Sequence, residues 1–287
     1  MTTAQTLATP AEPSTVVAAS APPAGPGLML PSLSLAKREL VRFLRQRHRI
    51  VGALATPIVF WLLIGGGMGH SFRAGGPGGG NYLQYFFPGT VLMILLFTAI
   101  FSTISIIEDR REGFLQSVLV APVPRAAIVL GKVLGGSALA FGQGLLFLLF
   151  APLVGVRPTV AGVAAALLVM AVVSVALTAL GFCIAWRMSS TQGFHAIMNL
   201  FLMPMWFLSG ALFPVENASA PLRWVMRLNP LTYGLSGLRQ SLYRGDAVNA
   251  AAAGGLAVSL GVSICFAGVM IFLASEIAGG RVSADLQ

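Results

Sequence analysis

Charge is scarce in this chain: of its 287 residues only 9% are Asp, Glu, Lys or Arg, against roughly 25% in soluble globular domains. That scarcity excludes a water-soluble fold. Carboxylates are scarcer still, 9 against 18 Lys and Arg, and none falls inside an apolar run. A proton- or sodium-coupled carrier keeps one there, because a charge in hydrocarbon costs several kcal/mol and is retained only for work. Glu108, Asp109 and Glu276 stand only at the ends of such runs. Two cysteines and three histidines build neither a disulfide scaffold nor a metal framework; Cys183 and Cys265 are expected to be small buried hydrophobes. His195, the one titratable group near an apolar interior, is expected at the interface and hydrogen bonded. A phosphate-cradling loop is missing: Gly131-Lys132 is followed by Val133, and Ala126 stands where that loop has its first glycine. The apolar runs also lack the Ser-His, Ser-Lys, paired-Asp or HExxH arrangements of intramembrane proteases.

What the sequence has in abundance is apolar length, with 56% hydrophobic residues and a mean hydropathy of +0.83. At about 20 residues per helical crossing, six spans are expected, at about 50–69, 83–107, 127–154, 160–186, 194–213 and 252–275. The fold class is therefore all-α integral membrane, one transmembrane domain over 33–280, with no room for a large soluble domain. Residues 1–32, with six prolines and a single charge, read as a disordered Ala/Pro-rich tail, not as a signal peptide. Residues 281–287 form a short tail at the other end. The net charge of +9 and pI near 10.8 are no sign of nucleic acid, because 16 of the 18 cations are Arg and they cluster beside apolar runs, at headgroup level. An even number of spans puts both termini on one side. If that side is the cytoplasm, it carries 12 cations against six outside, as the positive-inside rule requires.

Three segments outside the spans carry more than topology. From Leu33 to Arg49, Leu33, Ala36, Leu40 and Leu44 fall on one helical face and Arg38, Arg42 and Arg45 on the other, which predicts an amphipathic helix on an anionic membrane surface. After span two, five consecutive charges, Glu108 to Glu112, precede a short amphipathic stretch ending at Pro122 and Pro124. They form either a docking surface or a topogenic stop. Between spans five and six, an external segment carries Trp224, Met226 and repeated leucines around Asn229-Pro230. So apolar a segment predicts two short re-entrant helices broken at the proline.

With those features in order, the chain resembles the permease family of ABC-2 type exporters over about residues 33–280. The resemblance rests on the basic amphipathic helix, on Glu108, Glu112, Gly113, Leu119, Ala121, Pro122, Arg125, Ile128, Leu130, Gly131 and Lys132 after span two, and on the run from Leu208 to Arg239. That run contains Ser209, Gly210, Phe213, Pro214 and the pattern Asn229, Pro230, Leu231, Thr232, Tyr233. Drug-exporting members look nearest, although polysaccharide and lipid-precursor exporters share the architecture.

The resemblance implies a bacterial cytoplasmic-membrane protein with both termini inside. A second permease copy, expected to make a homodimer, and two copies of an ATP-binding cassette subunit would be its partners, along with membrane lipids. ATP and Mg would be bound by that ATPase, with no cofactor in this chain and no enzymatic activity of its own. Glu108, Asp109, Arg110, Arg111, Glu112 and Gly113 would open the coupling helix, with Arg38, Arg42 and Arg45 on the connecting helix beside it. The substrate path would run between spans one, two and five, past Thr56, Phe60, Trp61, Phe86, Phe87, Thr90, Phe97, Asn199, Met203, Met205, Trp206 and Phe207. Their aromatic and thioether side chains suit an amphipathic ligand. Phe213, Pro214, Asn229, Pro230, Tyr233 and Arg239 would form an outer gate, with Tyr233 and Arg239 near the headgroups. Two other classes compete: a membrane-embedded lipid-modifying enzyme or assembly factor using Glu216, Asn217, Asn229, Tyr233, Arg239 and Asp246, and an ion-coupled carrier.

Overall fold

A computed structural model describes residues 27–67, 82–120, 123–215, 218–243 and 255–280. Within them the chain is helical throughout: α1 (Met29–Arg45), α2 (Arg47–Gly67), α3 (Tyr82–Ser102), α4 (Ile104–Arg111), α5 (Phe114–Val120), α6 (Arg125–Leu148), α7 (Val160–Ala185), α8 (Thr191–Trp206), α9 (Ala220–Leu228), α10 (Pro230–Leu242) and α11 (Leu256–Gly279). Five segments are long and apolar enough to cross a membrane: Tyr82–Arg111, Arg125–Leu148, Val160–Ala185, Thr191–Ala211 and Leu256–Gly279; the apolar part of α2, Leu54–Gly67, is shorter. Of the expected tail over 1–32, residues 1–26 lie outside the described residues and Met29 to Ser32 already belong to α1; the tail 281–287 and residues 252–254 of the expected sixth span also lie outside them.

The boundaries follow local chemistry. The third expected span was drawn to residue 154, but the α-helix stops at Leu148 and a 3-10 turn over Ala151–Val154 ends on Gly155 at φ +79°, because Pro152 cannot continue an α-helix. Thr159 and Ser190 start α7 and α8 by accepting the Gly162 and Gly193 amides, the usual service of a hydroxyl at an N-cap.

α3 is the centre of the bundle. Phe86, Phe87, Val91, Leu92, Ile94, Leu95 and Leu96 are fully buried, packed by α2, α6 and α7 and, at one end, α10. α11 rests on α7 and α10 and turns most of its surface outward; Cys265 is exposed there and Cys183 is half-buried, so the expectation of two buried cysteines fails for Cys265. On an outer helix facing lipid, burial within the protein is not needed to keep an apolar side chain out of water.

α1 is held differently from the sequence expectation. Its buried face is Ser32, Ala36, Glu39 and Phe43, and it lies on α6, where Gly131 and Gly135 offer no side chain. A Cβ on Gly131 would fall 2.6 Å from that of Leu35, and one on Gly135 would fall 2.8 Å from that of Glu39. Such close backbone approach is what small residues permit between membrane helices. Leu33 and Leu44 are exposed, so part of the expected apolar face does look outward. Arg38 and Arg42, expected to face lipid headgroups, instead turn toward α4.

Candidate functional site

Where α1, α4 and α6 meet, seven ionisable side chains form one network around Asp109. Asp109 is fully buried. Its Oδ1 accepts from Arg38 at 2.8 Å and Arg42 at 2.9 Å, and its Oδ2 accepts from Arg38 at 3.0 Å and from the Lys132 ammonium. The Arg38 fork is bidentate, the geometry in which a guanidinium binds a carboxylate most strongly, and this contact raises the Arg38 pKa above its ordinary value. Lys132, itself buried, also donates to Glu39 at 2.5 Å and Ser105 at 3.2 Å. Arg42 divides its second nitrogen between Glu108 at 2.9 Å and Glu112 at 3.4 Å. The positions are set by helical period: Arg38 and Arg42 are one turn apart on α1, and Ser105, Glu108, Asp109 and Glu112 fall on one side of α4.

From sequence alone Glu108 to Gly113 form one surface; in the fold they divide. Asp109 points inward. Arg110 donates to the Trp186 and Met188 carbonyls at 2.7 and 3.3 Å, and Arg111 to that of Ser189 at 3.0 Å, so both cap the C-terminal end of α7, where the helix dipole favours cations. Glu112 and Arg45 are exposed. Gly113, at φ +75° with open space around it, ends α4 and starts α5, in the left-handed conformation that glycine adopts without strain. The Arg38 guanidinium lies 3.6 Å over the Phe114 ring. Glu39 and Lys132 were not expected in the site; the alternation of Glu39 with the arginines of a basic helix was the available sign.

Beside this network lies a cavity of about 620 Å³ between α1, α2, α3, α4 and α8, within the usual range for small-molecule sites. Thr56, Phe60, Phe97 and Met203, all expected on the path, line it. So do Phe43, Met93, Phe101, Glu108, Thr191 and His195, which were not expected there. His195 is exposed and its ring sits 5.1 Å from that of Phe101. The remaining expected path residues do not line this cavity. Trp61, Phe87 and Phe147 form an aromatic cluster joining α2, α3 and α6, with Trp61 edge-on to Phe147 at 5.5 Å and Phe87 stacked on it at 5.0 Å. Phe86, Thr90 and Trp206 are fully buried in the core. Asn199 and Phe207 are exposed, and Met205 is half-buried.

At the opposite end of the bundle α8 breaks. After Pro204 the chain makes a π turn over Phe207–Ala211 with Gly210 at φ +89°, and the carbonyls it frees are met by side chains. Gly210 O accepts from Arg239 at 2.9 Å and the Tyr85 hydroxyl at 3.2 Å, Leu212 O from Tyr82 at 3.2 Å, and Met205 O from Asn229 Nδ2 at 2.6 Å. In return Trp206 Nε1 donates to Gly89 O at 2.9 Å. Asn229 has the extended φ/ψ of −75° and 118° that a following proline favours, and its Oδ1 caps α10 at the Leu231 amide. Pro230 stands at the first turn of α10, where a missing amide hydrogen costs nothing. Tyr233, Phe213 and Pro214 are half-buried; Glu216, Asn217 and Asp246 lie outside the described residues. Arg239, expected near the headgroups, is buried within the protein: it is 4% exposed and stacks 4.3 Å over Tyr85, and it donates to the Gly210 carbonyl that the broken helix frees. Among the described residues no group of His, Cys, Asp and Glu could hold a metal ion.

The sequence of this helical, charge-braced chain matches the family model of the ABC-2 type transporter over residues 32–243. It is 26% identical to the transport permease ycf38 of Cyanophora paradoxa over 71% of each chain. It is also 26% identical to Nodulation protein J of Rhizobium meliloti (strain 1021), over 81% of this chain and 86% of the relative. The inner membrane transport permease YadH of Escherichia coli (strain K12) is 25% identical over 72% of this chain and 80% of its own. With that match covering well over half of its length, the chain belongs to the ABC-2 type transporter family and is a membrane transport permease.

Proposed function

We propose that this chain is the transmembrane subunit of an ATP-driven exporter that moves an amphipathic or lipid-like molecule out of a bacterial cytoplasm. The observation that carries the reading is adjacency: the cavity walled by α2, α3 and α8 and the Asp109 network share Glu108, which lines the first and is ion-paired in the second. A push delivered to α4 and α5 would therefore reach the cavity wall through one side chain. α2, at 21 residues and about 1.5 Å rise per residue, is long enough to be a sixth crossing, with α9 and α10 as a re-entrant pair on the outside. Both termini would then be cytoplasmic.

In this reading two copies of an ATP-binding subunit, which hold ATP and Mg, press on the exposed side of α5 around Gln116 and Glu112. A second permease copy completes the path. Closure of the nucleotide sites moves α4, α5 and α1 and switches the cavity between inward and outward access. No covalent chemistry in this chain is required.

The test is reconstitution with an ATP-binding cassette subunit, sought first in the neighbouring reading frames. In a background lacking native cysteines, Gln116→Cys should crosslink to that subunit and Ser219→Cys should react only with external reagents. ATP should drive export from proteoliposomes. Transport driven by a proton gradient without ATP, or crosslinking at position 219, would overturn the proposal.

A further inference from the structure

The cavity is polar at one end and apolar at the other, and the sequence spacing of its walls sets that direction. On α3 and α4 its lining runs Met93, Phe97, Phe101 and Ile104 to Glu108; on α8 it runs back from Met203 to His195 and Thr191. Both walls finish in their polar groups at the end next to the charge network. Among the described lining residues Glu108 alone is a carboxylate, and none is Lys or Arg. Its Oε2 is held by Arg42 at 2.9 Å, while its Oε1 has no hydrogen-bond partner among the described residues. The network that includes it has three cations, Arg38, Arg42 and Lys132, and four carboxylates, Glu39, Glu108, Asp109 and Glu112, so that the three cations behind Glu108 are already balanced by the other three carboxylates. Four phenylalanines face the same space, and aromatic faces attract cations and not anions.

Resting on the export reading above, we propose that the cavity selects an amphipathic cation, with its positive head on Glu108 Oε1 and its apolar body along Phe60, Phe97 and Met203. A cation at Oε1 finds a carboxylate whose charge is only half countered. An anion of the same shape meets that carboxylate without any cation among the described lining residues to offset it. Glu108 is thus a specificity-determining residue, and Arg42, which holds it from behind, is a positioning residue.

Two ions of one shape and opposite charge, tetraphenylphosphonium and tetraphenylborate, make the comparison. Binding is measured by equilibrium dialysis against the full-length protein in uncharged-detergent micelles, with empty micelles subtracted. The phosphonium should bind at least tenfold more tightly than the borate. Glu108→Gln should remove most of that preference. Because Glu108 also sits in the charge network, Thr191→Lys is the second variant: it adds a cation at the polar end, leaves Glu108 and Arg42 in place, and should weaken phosphonium binding while improving that of the borate. Met203→Trp, which fills the apolar end, should weaken both. Equal binding of the two ions to wild-type protein, or no change in their ratio in Thr191→Lys, overturns the cation proposal and leaves the export reading standing. Binding of both ions that ignores Met203→Trp removes the cavity from the path, and the export reading would lose its site.

Discussion

Asp109→Asn should release α1 from α4 and α6 while α7 stays folded. In the wild type the buried carboxylate accepts two hydrogen bonds from Arg38, one from Arg42 and one from Lys132. Asparagine keeps the shape, but it is neutral, and its amide nitrogen points donors at donors. Removing one partner from a buried ion pair costs about 3–5 kcal/mol. Lys132 retains Glu39 at 2.5 Å and Ser105 at 3.2 Å, so the lower end applies, equivalent to roughly a 100-fold change in an opening equilibrium. Hydrogen exchange followed by mass spectrometry reads it directly, because local opening sets amide protection segment by segment. Peptides covering 33–45 should exchange roughly 100-fold faster than in wild type, with those covering 160–185 unchanged. Equal protection of 33–45 in the two proteins would mean that packing on Gly131 and Gly135 holds α1 without help from charge.

Gly135→Leu should lower the yield of folded protein, measured by size-exclusion profile, because its Cβ meets Glu39 at 2.8 Å and the Ala36 Cα at 3.3 Å, and α1 would have to lift off. Tyr243→Phe removes the hydroxyl that serves Gln84 O, a carbonyl whose helical donor is absent because Pro88 lies four residues on; leaving it unpaired should cost about 1–3 kcal/mol, read as a lower melting temperature. Asn229→Ala loses both the cap on Leu231 and the bond to Met205 O, and should cost about 1–2 kcal/mol. Glu112→Ala should leave the melting temperature within error, since an exposed ion pair contributes about 0–1 kcal/mol, yet lower substrate-stimulated ATP hydrolysis in the assembled complex; unchanged hydrolysis would remove Glu112 from the docking surface.

Features written by local rules were legible in the sequence. Pro230 dictated the break between α9 and α10 and the extended Asn229, and of the six apolar runs the sequence marks, five are helices long and apolar enough to cross a membrane among the described residues. Features written by distant pairing were not. Arg38 and Asp109 are 71 residues apart, and nothing in either neighbourhood says that the arginines of α1 prefer a buried carboxylate to lipid headgroups. Lys132 read as one more cytoplasmic cation, although it lies under the whole network. Arg239 reads from the sequence as a contact near the headgroups; what buries its side chain is the Gly210 carbonyl, exposed by a π turn that no residue pattern announced. The path was half legible: aromatic residues on α2, α3 and α8 were visible, but which of them pack together and which line space depends on helix rotation, so Trp61, Phe87 and Trp206 went to the core while His195 came to the cavity wall.

Arg38 grips Asp109 on α4 with both terminal nitrogens and covers the Phe114 ring on α5, and between those two contacts the backbone passes through Gly113, the one residue there with open space around it and a left-handed conformation. Mechanically this is a pivot bridged by a strut. Because α1 is wedged onto α6 without clearance, the base of the strut does not give, and load applied to α5 is carried into α1 and α6 instead of being lost as rotation about the glycine. Shortening the strut, as Arg38→Lys would by replacing a flat fork with a point charge, should leave both helices formed and the joint slack.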